Sequence, residues 1–487
     1  MTHSSIVILL FACFAILTLH LQTLNPYGIF SRFKRPFRTV DTGGEIELVQ
    51  RLQPAVRTFL LWKLLAYYKC AWHIISNVRG GARAKGKTLD TVIRDIHKVR
   101  FDPHKPYLIS GDHFNVLYPR NLGIFYHATL DPHTALDEID WNHRQRIYLQ
   151  TVAFILDVFG RLGDCTTTIV PVGPRAVSCI NIYRYPSDSL YGLLWGLSAL
   201  RGASGPYAHY FPHEGSFRLR TRAAAEKLLQ EHKESIARLF EKYVAHVYDP
   251  DAGLIKRDVA ISSAKDSVLR QSSFYDNVIF WKTCRLAQEL GASLPGAIDC
   301  DALKQRILDN FWSEEHGHFL DDLSEESKKE GHYSSDWLVA VFTGFLDAEN
   351  LAERRYMRSV VEYTMRCGLD MPFPLRYQET DQSHREVFLV RAVVPAYGGS
   401  AIWSFWGCEF IKLLIVLSRF DGCEEYRTRA EGHIQTYEKL MVKYRGYPEV
   451  YDTRGKLLRT PLYRSVRQTG WVVGFEQAQK LLRAAEF

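Results

Sequence analysis

The sequence predicts an all-α protein built from paired helices, and three observations predict it. Apolar residues recur at helical spacing in segment after segment from residue 45 onward. Long loops mixing polar and aromatic residues precede alternate helices, so the helices pair and carry their chemically richer loops at one end. Strands do not alternate with helices as in a parallel sheet, and no short repeat period runs through the chain. An α/α barrel of alternating inner and outer helices is the architecture that fits. The body, residues 45–487, then forms one large domain.

The first residues are different. Ile6 to Leu19 is an apolar run broken only by Thr18, and mild residues extend it to about residue 24. That length just spans a bilayer, which takes roughly 20 helical residues. No Lys or Arg precedes the run and no small-residue cleavage site follows it, so residues 1–24 read as an uncleaved single-pass transmembrane helix. Residues 25–44 read as a basic linker, with Arg32, Lys34, Arg35 and Arg38. Their position after the span places the body on the cytoplasmic side by the positive-inside tendency.

From residue 45 the chain reads as follows. A long helix over 45–79 ends at Gly80-Gly81, and 89–99 is a shorter amphipathic helix. The loop 110–126 alternates polar and aromatic residues, and 136–162 is a long helix. Residues 165–185 hold β-branched residues, Pro and Gly, as in a loop with short strands. Helices follow from Ser187, capped by Ser or Asp, and over 223–247. Residues 248–255 have hairpin turn chemistry. Helices are then expected over 278–290, 301–311, 334–346, 352–367, 401–417, 426–444 and 469–484. Between them lie an aromatic excursion at 312–322, a charged surface turn at 324–330 and a loop at 446–461.

Composition bounds the function. With 46% hydrophobic and 24% charged residues, the 487-residue chain has ample material for a large core. Its net charge of +7 is a small excess, mixed along the chain, with no nucleic-acid module. A nucleic-acid partner is not expected. The nine cysteines are scattered, without disulfide or metal spacing, and read as small core residues. No asparagine begins a glycosylation sequon. His113, His213, Glu214 and His332 lie in loops but lack ligand spacing, so neither a metal nor a cofactor is expected.

Two carboxylates stand out. Asp276 lies where the stretch Gln271 to Trp281 passes from hydroxyl residues into an apolar helix. Two readings apply: an N-cap, or a carboxyl whose partial burial raises its pKa and keeps it protonated. Glu449 lies between aromatics in the loop Gly446 to Asp452. Folding could set the two across one sugar bond, one protonating the leaving oxygen and the other taking a proton from water. Asp188 and Asp336 read as helix caps. Asp266 and Arg270 read either as partners behind Asp276 or as an exposed i,i+4 pair. Asp452 reads as a turn-former or a substrate contact. Arg120 suits a sugar hydroxyl or a carboxylate equally. Trp281, Trp403 and Trp471 suit the core or a sugar platform, Trp403 being nearest a helix start.

Three motifs resemble the six-hairpin glycoside hydrolases, nearest the trehalase, processing α-glucosidase and neutral invertase relatives. They are Ser273-Phe-Tyr-Asp-Asn277, Gly399-Ser-Ala-Ile-Trp403, and Tyr447-Pro-Glu-Val-Tyr-Asp452 followed by Gln468-Thr-Gly-Trp471. The resemblance implies an (α/α)6 toroid and an inverting hydrolase of an α-glucoside-like oligosaccharide. It implies Asp276 as general acid and Glu449 as general base. The expected substrate contacts are Asp112, Tyr118, Arg120, Asn121, Tyr275, Asn277, Trp403, Tyr447, Asp452, Gln468 and Trp471. Asn121 stands where relatives often carry an acidic residue, and Ser400-Ala401 where they often have Gly-Pro. Those departures motivate a second reading, a catalytically silent carbohydrate-binding or membrane scaffold protein. A third, an isomerase or lyase on the same barrel, would need His113 or Tyr275 as its proton carrier.

Overall fold

The computed structural model describes residues 37–485 except 52, 103–104, 106, 112–115, 131–140, 174, 182–184, 203–206, 208–209, 211–218, 260, 263, 265–266, 296–297 and 380–381. The expected membrane span at 1–24 lies outside them. Among the described residues no helix is long and apolar enough to cross a membrane.

The chain enters as strands β1 (Phe37–Asp41), β2 (Ile46–Arg51) and β3 (Ala55–Val56), then helices α1 (Leu60–Arg79) and α2 (Leu89–Arg100). Helix α3 (Asn121–Ile124) runs into a 3-10 turn (Tyr126–Leu130), and α4 is Trp141–Leu162. A β4 (Thr168–Gly173) and β5 (Ala176–Ile180) hairpin and β6 (Tyr185–Pro186) lead to α5 (Asp188–Leu200) and α6 (Arg222–Val247). Short strands β7 (Tyr248–Asp249), β8 (Leu254–Ile255) and β9 (Ile261–Ser262) precede α7 (Phe274–Glu289) and α8 (Cys300–Phe311). The hairpin β10 (Trp312–Ser313) and β11 (His318–Phe319) and helix α9 (Glu325–Glu330) follow. A 3-10 turn (Ser335–Leu338) then leads into α10 (Val339–Phe342). The rest is α11 (Leu351–Arg366), α12 (Phe388–Val393), β12 (Ile402–Trp403), α13 (Ser404–Asp421), α14 (Glu424–Tyr444), β13 (Val450–Tyr451) and α15 (Val472–Ala484).

These helices sort into two rings by what they bury. All thirteen residues of α5 are buried, and α13 is buried from Ser404 to Leu417. A helix apolar on every side belongs inside. In α6 only eight of twenty-six residues are buried, on one face, which makes it an outer helix. The inner segments pack in a closed order: α3 on α5, α5 on α7, α7 on the 335–342 segment, that segment on α13, α13 on α15, and α15 back on the 126–130 turn. The outer helices α2, α4, α6, α8, α11 and α14 each precede one inner segment. This is the expected α/α toroid of six hairpins. Gly192 lets α5 close on its neighbour, because a Cβ there would strike the Pro119 carbonyl and the Arg120 Cα.

Three local expectations fail. Residues 37–41 are not linker but the strand β1, paired antiparallel with β2. Phe37 is buried edge-on against Phe154, and Ile46 N–H donates to the Arg220 carbonyl at 2.6 Å, which fixes the hairpin to the body. No helix starts at 45; Pro54 intervenes, β3 pairs with β5, and α1 begins only at Leu60. Residues 325–330 form the short helix α9, capped by Ser324 and closed by Gly331 in the left-handed region. The expected hairpin at 248–255 is present as β7 and β8.

Candidate active site

Each inner segment starts at the end reached by the long loops, and six sets of contacts tie those starts into one rim. Ser187 Oγ donates to Asp276 Oδ1 at 2.6 Å and Tyr275 OH to Asp188 Oδ2 at 3.2 Å, joining α5 to α7. Arg270, just before α7, pairs with Asp336 at 2.8 Å and Asp321 at 3.2 Å. Tyr377 OH donates to Asp336 at 3.1 Å, and Trp403 N–H to the Leu375 carbonyl at 2.9 Å, reaching α13. Ser404 N–H donates to the Glu449 carbonyl at 3.1 Å, binding α13 to the loop before α15. Gly470 N–H donates to the Ser110 carbonyl at 2.7 Å, and Tyr191 OH to the Gly123 carbonyl at 2.9 Å, closing the circuit through α3. The turn that carries Asp276 and the backbone of Glu449 therefore belong to one ring of contacts.

Asp276 is in the first turn of α7 and is not its cap. Ser273 is the N-cap: its Oγ accepts the Asp276 N–H at 3.0 Å and also donates to Asp276 Oδ2. The preceding Ser272 has φ +50°, a left-handed conformation costly for a non-glycine residue. Asn277 holds this turn. Its Nδ2 donates to Ser272 Oγ at 3.0 Å and the Ser273 carbonyl at 2.8 Å, and its Oδ1 accepts the Ile255 N–H at 2.9 Å. Burial, the largest influence, holds the Asp276 carboxyl above the usual carboxylate range; Arg270 and the two serine hydroxyls oppose it and Asp336 adds to it. Asp276 and Arg270 also line a small cavity walled by Ile255, Val259, Ile261 and Val268.

Behind Asp276 lies a buried charge network that local sequence did not reveal. Arg270 is 4% exposed, and Arg385 pairs with Asp322 at 2.5 Å and Asp321 at 3.4 Å. Asp336, expected as a cap, is an ion-pair partner because its carboxylate faces Arg270 and Tyr377. Asp188, also expected as a cap, accepts from Tyr275 while Ser187 occupies the N-cap position. Of the two readings of Arg270, the structure shows the partner behind Asp276. Asp266 lies outside the described residues.

The remaining expected contacts divide into two groups. Arg120 lies over the Tyr118 ring at 5.2 Å, and its charge acts on Tyr275, whose phenol burial holds well above its usual range. A phenol so held is a poor proton donor. Trp403 and Trp471 pack with ring centroids 5.8 Å apart and planes tilted by 33°, Tyr397 packs edge-on against Trp403, and Glu449 Oε2 accepts from Tyr463 OH at 3.4 Å. These residues group on the rim. Asn277 does not face a ligand, since its Nδ2 serves the turn and its Oδ1 holds Ile255 of β8. Tyr447 is wholly buried, donating to the Ser404 carbonyl at 3.0 Å and meeting Cys408 Sγ at 2.7 Å. Asp452 spends its carboxylate on its own loop, accepting the Arg454 and Lys456 N–H groups at 3.0 and 2.8 Å, which is the turn reading. Asn121 is buried against Ser110 and Tyr126. Gln468 is buried beside Tyr447, its backbone bridged to it. Trp281 is core: its Nε1 donates to the Cys300 carbonyl at 3.0 Å. Asp112, His113, His213 and Glu214 lie outside the described residues.

Among the described residues, Glu326, Glu330 and His332 bring ligand atoms within 4.8 Å of one another. Sequence spacing did not suggest this trio. His332 is a poor ligand as it stands. Arg385 donates to its Nδ1 at 3.2 Å, which leaves the proton on Nε2, facing Glu330 at 3.0 Å.

No protein-family model and no curated protein matches the sequence. The solved structures similar to the chain include glycoside hydrolases, as the motifs led us to expect. A rhamnosidase from Klebsiella oxytoca with rhamnose bound is 12% identical, with a TM-score of 0.48 over 83% of this chain and 66% of that one, just under two thirds of its length. A glucoamylase from Hormoconis resinae is 11% identical, with a TM-score of 0.48 over 88% of this chain and 74% of that one. A GH63 mannosylglycerate hydrolase from Thermus thermophilus in complex with glucose is 11% identical, with a TM-score of 0.44 over 85% of this chain and 98% of that one. At such scores the likeness adds no weight of its own; the toroid stands on the ring of helix contacts.

Proposed function

We propose that the chain is an inverting glycoside hydrolase acting on an α-glucoside-like or related oligosaccharide. Asp276 gives its proton to the leaving oxygen, and Glu449 takes a proton from the water that attacks the anomeric carbon from the opposite face. One observation supports this reading: the ring of contacts that joins the inner-segment starts runs through the Asp276 turn and the Glu449 backbone. Asp276 is buried and pushed toward its neutral form, while Glu449 is half-buried beside a phenol. Burial that favours the neutral carboxyl suits Asp276 to the acid role. Tyr118, Arg120 and Trp471, each part-exposed, offer aromatic faces and a cation that suit a sugar ring, whereas Trp403 is buried behind Trp471 in the core.

The full chain, offered a panel of glycosides and oligosaccharides, is expected to release reducing sugar from at least one α-glucoside-like member. Failure across the panel would overturn the hydrolase. The hydrogen bonds from Ser187 and Ser273 to both Asp276 oxygens favour the second reading, a carbohydrate-binding protein without turnover. Binding with no product would establish that one.

We place the apolar run at 6–19 in a bilayer with the body on the cytoplasmic side, from the basic residues that follow it. Protease protection on intact membranes tests this: a protected body would reverse the orientation.

A further inference from the structure

Helix α1 lies outside the toroid, on the β3–β5–β4 sheet. Its inner face is satisfied, with Ala66 buried against Val116, Val170 and Val172, and Trp62, Leu65 and Cys70 packed beside them. Among the described residues nothing covers its outer face, which is apolar. Leu60, Leu64, Tyr67, Ala71 and Ile75 recur every three or four residues along it and are all exposed. Phe59 and Leu61 extend the stripe, at 75% and 72% exposure. A contiguous apolar stripe of this kind marks a docking surface.

The charge around the stripe selects the partner. From Leu48 to Leu89 the chain has no Asp or Glu and eight basic residues. Arg57, Lys63 and Arg79 are exposed at the edges of the stripe. A second copy of the same surface would bring these cations against one another. The N-terminal apolar run offers them no counter-charge, because the chain has no acidic residue before Asp41. An anionic bilayer satisfies both features at once, apolar side chains entering the acyl boundary while cations meet headgroups.

We propose that α1 is an interfacial helix, lying flat on an anionic lipid surface through Phe59, Leu60, Leu61, Leu64, Tyr67 and Ile75. Docking there also orients the rim. Asn77 Nδ2 and Arg467 tie the end of α1 to the loop before α15, and Tyr118 packs into the cluster under α1.

The test uses the full chain with its N-terminal run disabled by Leu9→Glu, Leu10→Glu and Phe14→Glu, so that α1 alone is read. Vesicles of phosphatidylcholine with phosphatidylserine should bind this chain, more weakly as salt rises, and vesicles of phosphatidylcholine alone should bind it less. Adding Leu61→Glu, Leu64→Glu and Ile75→Glu, at exposed positions, should cut binding to the anionic vesicles about tenfold or more. Circular dichroism should show both variants folded. Absence of vesicle binding, or binding indifferent to the three α1 substitutions, would overturn the proposal. Conversion of a dimer to a monomer by those substitutions, without vesicle binding, would assign the face to a second copy instead. Neither outcome depends on whether sugar is hydrolysed.

Discussion

Replacing Arg270 by Gln tests how the rim is held together. The guanidinium is almost fully buried, 2.8 Å from Asp336 and 3.2 Å from Asp321. Removing one partner of a buried ion pair costs about 3–5 kcal/mol, because the other charge stays buried without it. Here the loss should fall near the lower end, about 3 kcal/mol, since Arg385 still reaches Asp321 and Tyr377 still donates to Asp336. A domain with about 5–15 kcal/mol of stability survives that. Urea unfolding followed by fluorescence should therefore show a clearly lower midpoint for R270Q, with R270K closer to the parent.

The pH dependence carries a second signature. Arg270 is the strongest influence holding the Asp276 pKa down against burial, so in R270Q that pKa rises further. A carboxyl with a raised folded pKa contributes stability below its unfolded value, near 3.8, and loses it as pH rises through the folded value. The deficit of R270Q relative to the parent should thus grow from pH 4 toward pH 7. A loss under about 1 kcal/mol, typical of an exposed pair, would mean that Arg270 does not hold the rim together, as would a deficit that shrinks as pH rises.

Three further outcomes follow from the structure. Ser273→Ala removes the cap of α7 and one donor to Asp276, and should cost about 1 kcal/mol in unfolding free energy. Trp471→Ala removes one ring of the Trp403–Trp471 pair; on a cleavable oligosaccharide it should raise KM about tenfold with kcat little changed, the pattern of lost uniform binding. Asp157 is buried near His232, and burial pushes its carboxyl up to about 6 against Arg51 and Arg161. Above that pH its charged form burdens the folded state by up to about 3 kcal/mol, so Asp157→Asn should raise the apparent Tm at pH 8 and leave it nearly unchanged at pH 4.

The sequence exposes the helices better than their surroundings. Helices at 222–247, 351–366 and 424–444 are legible because each buries one stripe, and 404–421 because it is apolar all round. The β1–β2 hairpin was hidden because its fixing contacts, Phe37 with Phe154 and Ile46 with Arg220, come from far along the chain. At the rim, loops mixing polar and aromatic residues point to Asp276 and Glu449. They do not say which way a side chain turns. Asp276 and Asn277 are neighbours, yet a helix separates adjacent side chains by about 100°; one carboxyl lines the cavity while the amide serves the turn. Asp336 follows two serines, as a cap would, and only the fold brings Arg270 to it. Tyr447 and Asp452 sit beside Glu449 in sequence and are spent on the core and on a turn.

The most direct test of the paired-carboxylate mechanism is nuclear magnetic resonance of the first sugar released from a cleavable glycoside by the full chain, alongside D276N and E449Q. The parent should release the inverted anomer. Each substitution should lower turnover by about a hundredfold or more, the usual worth of a positioned acid or base. Release of the retained anomer, or turnover unchanged in either variant, would contradict the assignment of Asp276 and Glu449 to one sugar bond.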